Sequence, residues 1–265
     1  MQFVPTLPDK LLNVTRSLHR AIGLLRLLAS HTRIGWRLSD LADHTGLDPG
    51  TVHRLLRGLV DEGLVTRVAD SRHYTLGPLA FELGLAAAPY FDLGRLTQVR
   101  LAAAAQELRG TLFLKMRSGV ESVCLARHDG IGPEPSLMLD VGGRRPLCLT
   151  AGGVAMLIHL PPAEQASIEL VNRRTLLRQG AQRWHAARQM LTRSRARGYA
   201  ANLGDIAAGI CAIGVPLMAR VNCPVASLTL AFAGAPLSDT QADALATSLK
   251  DEADGIVPLL AQLRR

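Results

Sequence analysis

The sequence predicts an α+β chain: an N-terminal winged helix-turn-helix, a linker helix, and a C-terminal domain of helices around a mostly antiparallel sheet. Three stretches carry that prediction. Residues 37–63 (RLSDLADHTGLDPGTVHRLLRGLVDEG) place Leu38, Leu41 and Ala42 at helical spacing, stop at Gly46, and resume with Val52, Leu55, Leu56 and Leu59. That is two helices joined by a tight turn. Residues 64–76 then read as strand, turn and strand, with Leu64, Val65 and Arg67 going out and His73, Tyr74 and Leu76 returning, which makes a wing. From Gly110 onward, short apolar strands recur at hairpin-like spacing among helices, the grammar of an α+β domain.

Taken in order, residues 1–12 read as an arm. A cap at Thr15 or Ser17 opens the first helix, whose Leu18, Ala21, Ile22, Leu25 and Leu28 line one face and pack beneath the helix-turn-helix. A loop over 30–36 leads to Trp36, which can open a short strand joining the wing sheet. Asp48 is expected to cap the second helix of the pair, with Pro49 in its first turn. The winged module thus covers 13–76. Gly77–Ala88, poor in charge and opened by Gly-Pro, reads as a linker helix in a segment 77–91 broken by Pro89. Its Leu79, Leu83 and Ala86 form a stripe that packs either on a second copy or on its own chain.

Residues 92–265 make the second domain. Asp92 is expected to cap a helix over Leu93–Arg109, followed by strands Thr111–Met116 and Val120–Arg127 joined at Ser118-Gly119. Shorter strands are expected at Leu137–Val141 and Pro146–Leu149, and helices at Ala151–Leu160, Pro162–Val171 and Gln182–Arg197, the last with a cationic face. Apolar strands Ile210–Met218 and Val225–Phe232 precede a terminal helix running from a Ser238 cap to about Leu263.

Composition narrows the function classes. With 265 residues and 48% hydrophobic content the chain can bury two cores. The net charge of +8 favours a polyanionic partner. Residues 1–80 hold only +3 of it, from 10 Lys+Arg and 7 Asp+Glu, so the motif rather than the charge locates a nucleic-acid site. No basic start with an apolar core opens the chain, and no apolar run approaches the roughly 18–20 residues that span a bilayer. A cytoplasmic protein without membrane attachment is expected. Cys124, Cys148, Cys211 and Cys223 show no metal spacing, so buried thiols are expected and neither a metal nor a cofactor. No nucleophile elbow, metal motif or phosphate loop is present, and no catalytic residue is expected; His128-Asp129 and His159 stand isolated.

In the second helix of the pair, Val52, Leu55, Leu56 and Leu59 must face the core, which leaves Gly50, Thr51, His53, Arg54 and Arg57 on the flanks and open face. Small groups near the helix start and cations beyond suit a duplex: Thr51 and His53 for base edges, Arg54 and Arg57 for phosphate or guanine. Arg72, at the wing tip, could reach an adjacent groove. Arg54 could instead pair with Asp40 or Asp43, and the whole unit could be a solvated hairpin or a protein-interaction module.

The chain resembles the IclR family of bacterial transcriptional regulators over nearly its whole length. The motifs are Val14–Ala21 (V-x-R-S-L-x-R-A), Gly46–Leu56 (G-L-x-x-x-T-V-x-R-L-L) and Tyr74-Thr75-Leu76-Gly77. Val141–Ala155 (VGGRRPLCLTAGGVA), Gly198-Tyr199-Ala200 and Gly209–Pro216 complete them, in the family's order. The resemblance implies a GAF-like fold for the C-terminal domain, binding of double-stranded operator DNA, and homodimers that often pair as dimers of dimers. It also implies response to a small-molecule effector, and places Ala151, Gly152, Asn202, Ala212, Thr229 and Ala231 at the effector pocket. Departures from the pattern matter here. Val154 replaces a usual Lys, Asn202 an acid, Ala212 a Cys, and only Thr229 survives of two hydroxyls, Ala231 taking the other place. A less charged pocket implies an aromatic or weakly polar acid, held by apolar walls and a few hydrogen bonds. The segment Thr150-Ala151-Gly152-Gly153 opens a helix, where free N–H groups could seat a carboxylate; equally, its glycines could serve tight helix–sheet packing in a degenerate pocket that binds nothing.

Overall fold

The computed structural model describes residues 9–30, 35–69, 71–91, 93–130, 139–221 and 223–260, and the chain divides into two compact units, residues 1–89 and 90–265. The first unit opens with α1 (Asp9–Leu28), which starts ahead of the expected caps at Thr15 or Ser17, so the last residues of the expected arm are helical. Its inward residues are Leu24 and Leu28, whereas Leu18 and Ile22, read as inward from their spacing, are exposed. Ala21, Leu25 and Leu27 pack against the core of this unit, and Leu18 and Ile22 stand outside it among the described residues.

A strand β1 (Trp36–Arg37) leads into α2 (Leu38–Thr45). Gly46 ends α2 at φ 67°, and its N–H donates to the Ala42 carbonyl at 2.8 Å, a left-handed cap that a residue without Cβ adopts freely. The next helix, α3 (Pro49–Asp61), begins as expected: the Asp48 carboxylate accepts from the Thr51 N–H at 2.9 Å, and Pro49 occupies the first turn. Then come β2 (Val65–Arg67) and β3 (His73–Leu76), which form with β1 an antiparallel sheet in the order β1-β3-β2. Trp36 lies opposite Tyr74 and Val65 opposite Leu76. Leu24, Leu28, Leu41, Val52, Leu56, Leu59 and Val65 close the core of this winged helix-turn-helix, each worth about 1.5–3 kcal/mol of burial.

The helix α4 (Pro78–Phe91) continues through Pro89, which was expected to break it. A proline removes one N–H bond to the carbonyl four residues back; this close to the helix end, the rest of the ladder keeps the backbone helical. At its start Gly77 has no Cβ, and one built there would stand 2.3 Å from the Gly63 carbonyl oxygen.

The second unit carries α5 (Leu93–Glu107), β4 (Thr111–Ser118), β5 (Glu121–His128), β6 (Arg144–Pro146), α6 (Ala151–Leu157), α7 (Pro162–Arg178), α8 (Ala181–Arg197), β7 (Ala200–Leu203), β8 (Ile210–Arg220), β9 (Cys223–Ala233) and α9 (Asp239–Leu260). The sheet runs β6-β5-β4-β9-β8-β7 with every neighbouring pair antiparallel. Strand alternation sorts its residues between two cores. Leu112, Leu114, Ile213, Leu228 and Leu230 meet α5 and α9, while Phe113, Cys124, Ala212 and Ala231 meet α6, α7 and α8. The α+β class and the mainly antiparallel sheet stand as expected.

Several element bounds differ. Of the expected strand Leu137–Val141, the first two residues lie outside the described ones, and residues 139–143 form a turn with Gly142 at φ 82°. Of the expected strand Pro146–Leu149, Pro146 ends β6 and Leu147–Leu149 form a 3-10 turn. The strand β7 went unread because Ala200-Ala201-Asn202-Leu203 has no polar–apolar alternation, its first three residues being buried on both faces. Ser238 caps α9 as expected, reciprocally with Gln241 (Ser238 N–H to Oε1 2.9 Å, Gln241 N–H to Oγ 3.3 Å). Asp92 and Leu263 lie outside the described residues. The cationic face of α8 is partly tied down: Arg193 pairs with Asp205 through two bonds of 2.7 and 3.0 Å, Arg195 with Glu169 and Arg197 with Asp239.

Candidate functional site

On α3 the buried positions Val52, Leu56 and Leu59 fall on one side. Gly50, His53, Arg54 and Arg57 are exposed and recur at i, i+3, i+4 and i+7, so they form a single stripe on the other side, with half-buried Thr51 at its edge. The Asp48 carboxyl is held below its ordinary value by its side-chain and backbone hydrogen bonds to Thr51, which keeps the cap ionised where α3 begins. Arg54 does not pair with Asp40 or Asp43; its Nη2 lies 3.5 Å from the Thr51 hydroxyl, a long contact. Among the described residues neither Arg54 nor Arg57 makes an ion pair, so both guanidinium groups are available to an outside anion.

The wing adds cations that the sequence reading missed. Arg37 of β1 lies opposite His73 of β3, and Arg67 of β2 opposite Tyr74. With Arg72 they line a cleft of about 770 Å³ together with Val68, Ser71 and His73. None of the three arginines is ion-paired among the described residues. The missed signal was their strand register, since β1-β3-β2 brings Arg37 beside residues thirty or more positions away.

In the second unit all six residues implied for a pocket are buried and belong to one region. Ala212 is registered between Asn202 of β7 and Ala231 of β9, and Thr229 lies between Gly214 and Phe113. The start of α6 lies directly over them. A Cβ on Gly214 would stand 2.7 Å from the Ala151 carbonyl, and one on Gly152 only 2.4 Å from Thr229 Oγ1. These glycines therefore do serve close helix–sheet packing. Asn202 turns its amide to the protein: its Nδ2 donates to the Ile210 carbonyl and its Oδ1 accepts from the Ile206 N–H, both at 3.3 Å, closing the β7–β8 connection.

Two further residues of this region were not foreseen. Lys115 of β4 lies opposite Ser227 of β9, and both are buried. Burial lowers the Lys115 ammonium to about 8, with Arg145 adding to the effect and Cys124 opposing it. The sign of the residue was legible: a charged side chain two positions from Phe113 in a strand shares its inward face. Cys124, Cys148 and Cys211 are buried as expected, and burial pushes the Cys148 thiol up to about 12, but Cys223 is exposed. Among the described residues no cluster of His, Cys, Asp and Glu could hold a metal ion, and no helix is long and apolar enough to cross a membrane.

A winged helix-turn-helix with an unpaired cationic stripe, followed by an α+β unit with a polar buried region, is the build of a DNA-binding regulator. The chain belongs to the IclR family of transcriptional regulators: residues 17–69 match the IclR helix-turn-helix domain and residues 86–257 the bacterial transcriptional regulator IclR C-terminal domain. It is 31% identical over 217 residues to the glycerol operon regulatory protein of Streptomyces coelicolor, covering 80% of this chain and 83% of that one. It is 24% identical over 225 residues to the transcriptional regulator KdgR of Escherichia coli, covering 84% of each. Among solved structures it is similar to an IclR family regulator from Brucella abortus, at a TM-score of 0.71 and 20% identity over 92% of both chains. It is also similar to an IclR homolog from Microbacterium hydrocarbonoxydans complexed with 4-hydroxybenzoate, at a TM-score of 0.64 and 23% identity, covering 92% of this chain and 99% of that one.

Proposed function

We propose that this regulator binds a two-fold operator as a homodimer, and that a small organic acid, aromatic or weakly polar, modulates that binding. The observation that carries the DNA reading is the exposed stripe Gly50–His53–Arg54–Arg57 on α3, with Thr51 at its edge, whose two arginines make no ion pair among the described residues. Set in the major groove, such a stripe presents Thr51 and His53 to base edges, and Arg54 and Arg57 to phosphate or guanine. Arg72, with Arg37 and Arg67 beside it in the wing cleft, would meet the adjoining backbone. The module divisions 13–76, 77–91 and 92–265 assign these tasks to the winged module, a linker and the sensing domain. Two copies would engage half-sites about one helical turn, roughly 34 Å, or a multiple apart.

The effector reading draws support from the buried region around Gly152 and Thr229, and from the 4-hydroxybenzoate held by a structural neighbour. Fluorescence anisotropy with the DNA upstream of the gene encoding this chain tests both parts. Binding at least ~1,000-fold tighter than to scrambled DNA is expected for a specific site, together with a shift in affinity on adding an aromatic acid. Equal affinity for scrambled DNA would overturn the operator reading. An operator affinity unmoved by any acid at millimolar concentration would favour a regulator acting without an effector.

A further inference from the structure

Three buried polar side chains of the second unit converge on Gly152, and the two hydroxyls among them have no hydrogen-bond partner among the described residues. Lys115 is 3% exposed, Thr229 2% and Ser227 not at all. Ser227 Oγ and Thr229 Oγ1 have no hydrogen-bond partner among the described residues. Among the described residues no carboxylate or carbonyl accepts from Lys115 Nζ, which lies 5.4 Å from the centroid of the Phe113 ring. Strand register gathers the three: Ser227 is directly opposite Lys115, and Thr229 opposite Phe113. A methyl group on Gly152 would lie 2.4 Å from Thr229 Oγ1, 2.7 Å from Ser227 Oγ and 3.0 Å from Lys115 Cδ. All three side chains thus crowd the same glycine.

A cation withdrawn from water without an anion is among the least favourable arrangements a core can hold, and unpaired hydroxyls add to the cost. The ammonium offers three N–H donors and each hydroxyl one more, a set that an acceptor-rich, negatively charged group satisfies. The choice of side chain matters as well. The chain uses 27 Arg and 3 Lys, yet this interior position carries one of the three lysines. A lysine gives a compact point charge, where a guanidinium would need a planar, bidentate partner. Phe113, Cys124, Ala212 and Ala231, in the same core cluster, supply apolar surroundings for a carbon skeleton.

We propose that Lys115, Ser227 and Thr229 form an anion-holding subsite that takes the carboxylate of a small organic acid, with Lys115 as its counter-charge. The proposal rests on reading this region as the effector site and assigns the acid selectivity of that site to a residue. It also replaces the expectation of a pocket less charged than is usual: the charge lost at other positions enters from β4.

Thermal unfolding and titration calorimetry of the full chain test it, with acetate and benzoate against acetamide and benzamide as probes. The acids are expected to bind and raise the midpoint while the amides do neither, and K115M, which keeps the volume and removes the charge, should lose at least ~10-fold in acid affinity. S227A keeps the lysine and should weaken the acids less than K115M does. It serves as the decisive variant should K115M not fold, and undiminished acid binding by folded S227A would then overturn the subsite. Acids and amides binding alike, acids binding K115M as tightly as the wild type, or no acid binding the wild type would each overturn it. Operator binding separates the two readings: acid binding that depends on Lys115 but leaves DNA affinity unchanged sustains the subsite and removes the effector role.

Discussion

Gly214 of β8 lies beneath Ala151 of α6 so closely that a Cβ on the glycine would stand 2.7 Å from both the carbonyl carbon and oxygen of Ala151, and 3.0 Å from the Gly152 nitrogen. All three atoms are backbone, so no rotamer change relieves the overlap. G214A is therefore expected to lift α6 off the sheet and to destabilise the second unit by about 1–3 kcal/mol, the usual cost of overpacking. Urea denaturation reads it directly. A change within experimental error would mean that α6 is not held against β8 as tightly as this geometry requires.

Lys115 sets a pH dependence whose sign can be worked out. Its folded value is about 8 against an ordinary 10.5, so between those limits the unfolded chain holds a proton that the folded one has shed. Stability then rises with pH across that window, and the full penalty of the buried charge stands below about 8. K115M should be more stable than the wild type at pH 7 by about 1–4 kcal/mol, and the gap should narrow as pH rises past 8. Cys124 faces the lysine and its thiol is pushed up by burial, while Arg145 is the nearby cation. Both remain in the variant, so the difference between the two proteins isolates Lys115. A gap independent of pH from 7 to 10 would show that the ammonium stays solvated and keeps its ordinary value in the native state.

Signals confined to a few neighbouring residues were legible: the Gly46 stop, the Asp48-Pro49 start, the Ser238 cap and the inward stripe of α3 all follow from local chemistry. What depends on pairing between distant segments was not. Arg37 and Arg67 join the wing cleft only because β3 lies between their strands, and Lys115 meets Ser227 only because β9 pairs with β4 across 112 residues. The bonds of Asn202 belong to the same group: its amide donates once and accepts once in the β7–β8 connection, a pairing that its motif does not show.

The α3 stripe separates two kinds of contact. R54A or R57A should weaken binding to all sequences alike if the guanidinium meets phosphate, lowering the salt slope by about one unit. Loss at a single operator position, by about 1–3 kcal/mol, would instead mark a guanine contact. T51A and H53A are expected to relax selectivity at one position and leave the salt slope in place. Anisotropy titrations at several salt concentrations, on an operator and its single-base variants, distinguish these outcomes. Wild-type behaviour in all four variants would remove α3 as the reading helix.

The wing arginines should act additively and without sequence preference. Arg37, Arg67 and Arg72 line one cleft and have no ion pair among the described residues to break. Replacing all three with Ala is expected to reduce the salt slope by roughly two to three units and to lower non-specific and operator affinity together. Circular dichroism should report an intact fold, since their guanidinium groups support no described contact. A salt slope equal to that of the wild type would place the wing away from the duplex.

The helix α4 exposes large apolar side chains. Phe81, Leu83 and Leu85 are 68%, 55% and 57% exposed, on a helix in which the one acidic side chain before Pro89 is Glu82. The stripe read from the sequence was Leu79, Leu83 and Ala86; Leu79 is half-buried, Leu83 and Ala86 are exposed, and Phe81 and Leu85 extend the apolar surface to a second side of the helix. Contiguous exposed apolar side chains are unfavourable in water and mark surfaces that another molecule covers. A second copy is the simplest occupant, because a two-fold operator needs two winged modules held at a fixed spacing. F81E/L83E places carboxylates in that surface and should convert a sedimenting dimer into a monomer at micromolar concentration. The folded monomer should retain weak, salt-sensitive DNA binding and lose most of its preference for the two-fold site, since only one half-site can be engaged at a time. A double variant that remains dimeric and keeps full operator affinity would show that the two copies meet elsewhere.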